Sequence, residues 1–427
     1  MYFADLHIHS RFSRACSKQL NIENLEKWGN IKGLDLIGTG DFTHPVWLDE
    51  LKKELKEEVD DKGNGRGVFI MKNKNGNVRF LLTGEISLMY TDDKAKEEGK
   101  NGRRVHLVLL APDFEAVDKI NQWLDTKGRR DYDGRPIFKI SCEDFAAKMF
   151  AIDSRIEVIP AHIFTPWFGI FGSKTGFDLL KNAFKSQYDK IHAIETGISS
   201  DRSMNLRINE IRGGERDKGK TIMSNSDSHS FWPWRLGREA TIFKSIESYD
   251  EVLREIREND IIGTIEVEPA YGKYHYDGHR LCGFSCSPSE TKKLNNICPK
   301  CGKELTLGVD YRVESLADEM IEEGKNVHKR DNKIEFKILP LHEILALSYG
   351  TSMNTKKIWN IYNMLIERFD NEFNILLKVS KEKLLKELDD KTTELIMKNR
   401  RGDIKVRPGY DGVYGRAVVE SEQVKLS

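Results

Sequence analysis

The sequence lacks a net charge: 68 Lys and Arg stand against 68 Asp and Glu in 427 residues. Whole-chain charge therefore points neither to nucleic acid nor to an acidic partner, and any basic surface has to be local. It also lacks an apolar run of the roughly 20 residues that a membrane helix needs, so no membrane association is expected. The opening MYFADLHIHS enters a strand at once, without the basic and then apolar stretch of a secretory signal, and a cytoplasmic location is expected. Tandem repeats and low-complexity tracts are missing as well, and the Gly-rich tail has no Gly-Lys-Ser/Thr phosphate loop, so it implies no nucleotide-binding loop. Cysteine is scarce, at six residues. Four of them form Cys282-x3-Cys286 and Cys298-x2-Cys301, which reads as one structural zinc rather than disulfides and agrees with a reducing compartment.

What is present is a recurrence. Seven short apolar runs in the first 230 residues each close on a metal-ligating side chain. They lead into His7 and His9 (FADLHIHS), Asp41 (LDLIGTGDF), Glu85 (RFLLTGEIS) and His106 (RRVHLVLL). The others lead into His162 (IEVIPAHIF), Glu195 (IHAIETG), and Asp227 with His229 (TIMSNSDSHS). A barrel of parallel strands gathers residues from strand C-termini that lie far apart in sequence. A lone His at a strand end is usually a hydrogen-bonded structural residue. The same placement repeated along the chain is explained by one polynuclear metal site. His7-x-His9 and Asp227-x-His229 each present two side chains on one face, because side chains alternate with period two. Glu85 is the candidate for a carboxylate bridging two ions, and the mixed set suits zinc or manganese over calcium. Asp5 is expected to orient a ligand from behind.

Around these motifs, strand-like and helix-like segments alternate to about residue 268, the pattern of an α/β fold. ENLEKWGNIKG reads as a helix stopped by Gly33, and IESYDEVLREIREND as one leading into the strand IIGTIEVEP. After Pro269 the chain becomes rich in Tyr, His, Gly and Cys, and beyond 340 it turns helical, with Gly350 as a C-cap. The expected organisation is a barrel over 1–268, an inserted or appended zinc module over 269–340 and a helical domain over 341–427.

The motifs Asp5-Leu-His7-Ile-His9-Ser10, Thr39-Gly-Asp41, Gly84-Glu85, His106, Pro160-Ala-His162 and Asp227-Ser-His229 resemble those of the polymerase and histidinol phosphatase (PHP) superfamily of metal-dependent phosphoesterases. The resemblance implies a distorted seven-stranded (β/α) barrel with two or three metal ions. Those ions would be zinc, with manganese or magnesium as further candidates in catalysis. The chain departs from the superfamily pattern at Asp41, where many members carry His, and in RFSRACS, where a further ligand is common; His44 is a substitute candidate.

The order barrel, zinc knuckle, helical tail, together with Ser224–His229, Pro233–Ala240 and Gly409–Gly415, more closely resembles the endonuclease Q branch over nearly the whole chain. That resemblance implies a DNA-repair endonuclease that nicks on the 5′ side of deaminated bases (uracil, hypoxanthine, xanthine) and of abasic sites, and the strand-end position of Glu85, His162 and Asp227 puts these three in the catalytic set. A sliding clamp or other repair factors are conceivable further partners. Arg235 and Arg238, just past the Asp227 motif, suit phosphate contacts, or equally ion pairs with Glu239 and its neighbours. Trp167 and Tyr274 suit a base pocket between barrel rim and zinc module, whereas Trp232 and Trp234 read at least in part as rim packing. Basic clusters at 129–135, 202–220 and 398–407 are interspersed with acids and read first as solvated faces. Two other readings compete: a phosphatase acting on a small phosphomonoester, which would need no zinc module, and a catalytically weak DNA-binding module, which should have lost several ligands.

Overall fold

The computed structural model describes residues 1–72, 77–97, 102–214, 218–317 and 332–418. Part of the expected zinc module, 318–331, and of the basic stretch 202–220, at 215–217, lies outside the described residues. Local signals set the element ends. Asn21 opens the helix Ile22–Lys32 by accepting the Asn24 N–H at 2.9 Å, and Gly33 closes it in the left-handed conformation at φ 95°. Ser248 caps Tyr249–Arg257, which leads into the strand Gly263–Glu266 as its sequence suggests. Gly350, at φ 61°, ends the helix Leu341–Tyr349.

An eleven-stranded mixed sheet organises the fold. At its centre Tyr2–Asp5 pairs in parallel with Leu36–Gly38 and antiparallel with Ala240–Phe243. Leu36–Gly38 pairs in parallel with the long strand Arg79–Tyr90. That strand runs antiparallel to Arg103–Ala111, which in turn runs antiparallel to Glu157–Pro160. Ala193–Glu195 and Thr221–Met223 form a separate parallel pair. Ala4, Leu36, Leu81, Val108, Ile159, Ala193, Met223 and Phe243, one from each of these eight strands, share a buried core with the helix Tyr249–Arg257.

The distorted seven-stranded barrel expected from the sequence departs from a ring of parallel strands in two respects. Arg103–Ala111 is antiparallel to its neighbours, and hydrogen bonds do not close the ring. At one gap the Leu6 N–H donates to the Asn225 side chain at 2.9 Å instead of to a ladder carbonyl, leaving Ile8 with Ser228 as an isolated bridge. At the other, His162 turns left-handed (φ 30°), and the link to Ala193–Glu195 is made by Ile163 N–H to Glu195 O at 3.1 Å.

The C-terminal helices Leu341–Tyr349, Lys356–Phe369, Glu372–Leu377 and Asp390–Arg400 pack beside Ile22–Lys32. Buried Lys32 donates to Glu372 at 2.7 Å, and Glu372 also accepts from the Leu341 N–H and the Tyr362 hydroxyl. Trp232 and Trp234 stack at 5.5 Å and abut Trp359, so both tryptophans serve packing against these helices. Ile334–Lys337 returns to the main sheet beside Gly263–Glu266, so the proposed middle segment 269–340 ends with a strand of that sheet. The Gly-rich tail is stitched to 270–276: Gly409 N–H donates to Ala270 O, Gly412 N–H to Lys273 O and Gly415 N–H to Tyr271 O. Among the described residues, no helix is long and apolar enough to cross a membrane.

Candidate metal centre and cleft

Leu6 and Ile8 are buried in the apolar interior, and the alternation turns His7 and His9 together to the other face, just past the strand Tyr2–Asp5. Asp41, Glu195, His162 and Asp227 likewise stand at or shortly after strand ends. Three of them, Asp41 (φ 48°), His162 (φ 30°) and Asp227 (φ 47°), are left-handed, the local bend by which the chain leaves its strand and aims a side chain inward. Glu85 and His106 instead sit within paired strands, with Val108 opposite Glu85 and Ser87 opposite His106. Because its strand is reversed, His106 near the strand's start reaches the same end of the fold as the C-terminal ends of the others.

Two groups of ligand atoms converge, each within 4.8 Å: His7, His9, Glu85 and Asp227, and Glu85, His106 and His162. Glu85 belongs to both. Its Oε2 lies 3.5 Å from His7 Nε2 and 3.2 Å from His9 Nε2. Its Oε1 lies 2.8 Å from His106 Nδ1 and 3.3 Å from His162 Nε2. Asp227 Oδ1 completes the first group at 3.0 Å from His9 Nε2 and 3.6 Å from His7 Nε2. One carboxylate with an oxygen for each of two groups is the arrangement of a bridging ligand.

The structure separates Asp41 and Glu195 from these groups and stands them behind. Glu195 accepts from His7 Nδ1 at 3.0 and 2.9 Å, from the His162 N–H at 3.0 Å and from the Asn225 amide at 2.9 Å. Asp41 accepts from His9 Nδ1 at 3.0 Å and is filled by the Ser10 N–H and the Ser10 and Ser13 hydroxyls. Each imidazole therefore gives Nδ1–H to a carboxylate and turns Nε2 inward, as metal-binding histidines do. His229 is at the rim, where its Nδ1 donates to Asp227 O at 2.9 Å. His44 stacks on Phe12 at 4.3 Å and is in neither group, so it does not replace the missing superfamily ligand. Asp5 ties the first strand to the Asp227 loop, accepting from the Ser226 N–H and hydroxyl and from the Gly237 N–H.

The electrostatics fit divalent cations. Burial would push His7 and His9 down, but carboxylates outweigh it and hold both well above the ordinary imidazole value: Glu195, Glu85 and Asp227 around His7, and Asp41, Asp227 and Glu85 around His9. Asp227 and Glu85 are held well below the carboxylate range, against their burial, by the surrounding histidines and, for Glu85, also by Arg135. His106 is pushed down to about 4 by burial and by its neighbour His162. His7 Nε2 is buried with no hydrogen-bond partner among the described residues, and metal ligation would satisfy it.

The groups open into a cleft of about 970 Å³ that His106, His162, Asp227 and His229 line from below. All four expected DNA contacts line it: Arg235, Arg238, Trp167 and Tyr274. Trp167 meets Tyr274 edge-on at 5.5 Å. Arg238 is mostly buried and pairs with Glu343 at 3.4 Å, while Arg235 is exposed. The tail supplies Tyr414, which nothing in the sequence connected to the site.

In the cysteine module the converging set is His279, Cys282, Cys298 and Cys301. This set holds three of the four expected thiolates, with His279 in place of Cys286. Cys286 sits two residues further from the hairpin turn, opposite Asp277, with its sulfur 3.2 Å from Thr291 Oγ1. His279 borders the turn and Cys282 lies within it, and the two-residue step along the strand from Phe284 to Cys286 is about 6.5 Å. The sequence reading also missed Arg135. Grouped there with a solvated cluster, it reaches Glu85 Oε2 with Nη1 at 3.1 Å.

Buried imidazoles and carboxylates meeting on one shared Glu85 beneath an open cleft define the candidate centre of a metal-dependent hydrolase. A family model for the MJ0043 C-terminal domain matches residues 340–403. The uncharacterized protein MJ0043 of Methanocaldococcus jannaschii is 30% identical over 310 residues, which are 70% of this chain and 36% of that protein. The chain thus spans only about a third of that relative's length. The lesion-specific endonuclease PfuEndoQ of Pyrococcus furiosus matches with a TM-score of 0.81 at 28% identity, covering 99% of this chain and 96% of that one. An endonuclease Q in complex with a 27-mer duplex substrate, an abasic lesion at its active site, matches with the same TM-score and identity over 99% and 98%. The chain is a homologue of MJ0043 and, over its full length, a close structural match to endonuclease Q.

Proposed function

We propose that this protein is a metal-dependent DNA endonuclease of repair, hydrolysing the phosphodiester on the 5′ side of uracil, hypoxanthine, xanthine and abasic sites. The observation that carries the reading is Glu85, with one oxygen toward each of two ligand groups, at the base of a cleft whose walls hold arginines and aromatic rings. The likeness to an endonuclease Q held on a lesion duplex supports it. Divalent ions held by His7, His9, Glu85, His106, His162 and Asp227, zinc or else manganese or magnesium, would supply a water of lowered pKa and neutralise phosphate charge. Glu195 and Asp41 hold His7 and His9 in the tautomer that leaves Nε2 free. A cleft of about 970 Å³ matches the upper end of ligand pockets, ~300–1,000 Å³, and accommodates a nucleotide turned out of the duplex against the wall that Trp167 and Tyr274 form. Arg235 lies where it would meet the backbone phosphates. His279, Cys282, Cys298 and Cys301 would hold a structural zinc that keeps the Tyr274 wall in place.

The test is incubation of the full chain with end-labelled duplexes, each carrying one lesion or none, with and without added zinc, manganese or magnesium. A metal-dependent nick on the 5′ side of the lesion alone is expected. Intact duplexes under every metal, with turnover of a small phosphomonoester, would overturn the reading in favour of a phosphatase.

A further inference from the structure

Arg135 is delivered to the metal centre by a segment built for that purpose. Residues 126–136 join the helix Phe114–Asp125 to the strand Ile137–Phe138 and run past Asp41 and Glu85. Gly134 N–H donates to Phe12 O at 3.1 Å, the Thr43 hydroxyl donates to Gly134 O at 3.2 Å, and Ser87 N–H donates to Pro136 O at 3.0 Å. The residues on both sides of Arg135 are therefore fixed. A Cβ at Gly134 would collide with the Asp41 carboxylate and the Ser13 hydroxyl, so glycine is what lets the backbone pass this close. The guanidinium then reaches Glu85 Oε2 with Nη1 at 3.1 Å. Nε and Nη2 have no partner among the described residues, and 23% of the side chain is exposed. One edge of the group is held on the shared carboxylate and the other is free, within electrostatic reach of Asp227, His229 and Cys16 of the cleft wall.

A charge on this spot needs a reason. Glu85 already faces four imidazoles and has an oxygen for each ligand group, so its own charge is answered once ions are bound. A permanent cation beside two divalent ions is repelled, unless an anion arrives between them. A planar guanidinium with two free donors matches a phosphate. Resting on the endonuclease reading, we propose that Arg135 grips a non-bridging oxygen of the scissile phosphate and is a catalytic residue of the reaction.

The experiment compares wild type, Arg135→Ala and Arg135→Lys on a lesion duplex in three measurements. These are single-turnover nicking with metal, metal content of the barrel, and salt dependence of binding, with metal, to a duplex whose scissile linkage resists hydrolysis. Loss of a donor to the transition state is expected to slow nicking about 10²–10³-fold in Arg135→Ala. The slope of log affinity against log salt should shrink by about 0.9, the signature of one lost phosphate contact. Metal content should hold, millimolar guanidinium ion should restore part of the Arg135→Ala rate, and Arg135→Lys should recover only part of it, having no planar fork. An unchanged slope, an unchanged rate, or a variant that has lost its barrel metal overturns the proposal. Failure of wild type to nick any duplex is a separate outcome, which sinks the endonuclease reading itself.

Discussion

Replacing Glu195 by Gln tests whether the ligand histidines depend on the carboxylates behind them. Every partner of Glu195 is a donor: His7 Nδ1 at 3.0 and 2.9 Å, the His162 N–H at 3.0 Å and the Asn225 amide at 2.9 Å. A carboxylate accepts all of them. Glutamine keeps one accepting oxygen and must turn its NH₂ toward a donor, so a charge-assisted hydrogen bond worth about 1.5–3 kcal/mol is lost. At about 1.4 kcal/mol per tenfold, metal affinity should fall about ten- to a hundredfold. The substitution changes no volume, so the fold should persist. The assay is competition between a chromophoric chelator and the metal-free protein for zinc, with thermal melting alongside. The barrel site should weaken by that factor while zinc in the His279 and cysteine cluster stays bound. An affinity within about twofold of wild type would refute the reasoning, because a decade or more is expected from an outer carboxylate of this kind.

Other outcomes follow from particular contacts. Glu239 is pushed up to about 8 from an ordinary 4.5, chiefly by burial, so the folded chain keeps a proton that the unfolded chain releases near 4.5. Its contribution to stability is full below 4.5 and is lost as pH rises to about 8. Glu239→Gln should flatten that decline in urea unfolding, and parallel pH curves for the two proteins would contradict it. Native mass spectrometry should find module-bound zinc retained in Cys286→Ser and lost in His279→Ala; the reverse pattern would restore the four-thiolate site. Trp359, 5.4 Å from Trp232, 5.7 Å from Trp28 and 4.4 Å from His342, bonds the C-terminal helices to the body. Trp359→Ala should lower unfolding free energy by about 3 kcal/mol, measured by chemical denaturation, and a change near zero would deny that role.

Much of the site is legible in the sequence wherever one element decides it. Period-two alternation suffices to put His7 with His9 on one face, with Leu6 and Ile8 on the other. Cap chemistry suffices to end helices at Gly33 and Gly350. Strand-end carboxylates and imidazoles at Asp41, His162, Glu195 and Asp227 announce themselves as short apolar runs. What these signals leave out is anything that depends on how two elements face each other. The direction of Arg103–Ala111 follows from its pairing with Arg79–Tyr90, and the same run of residues would read identically in either direction. Asp41 and Glu195 look like ligands of the same rank as Glu85, yet depth behind His9 and His7 makes them orienting groups. Spacing favoured Cys286, while hairpin register brought His279 to the turn. Arg135 looked like one more solvated arginine until a glycine carried its backbone over Asp41. Periodicity and caps act within a few residues, so the chain alone determined its elements and their faces. Strand order, direction and depth come from packing between segments more than 200 residues apart, as between Asp5 and Ser226, and only the tertiary structure decided those.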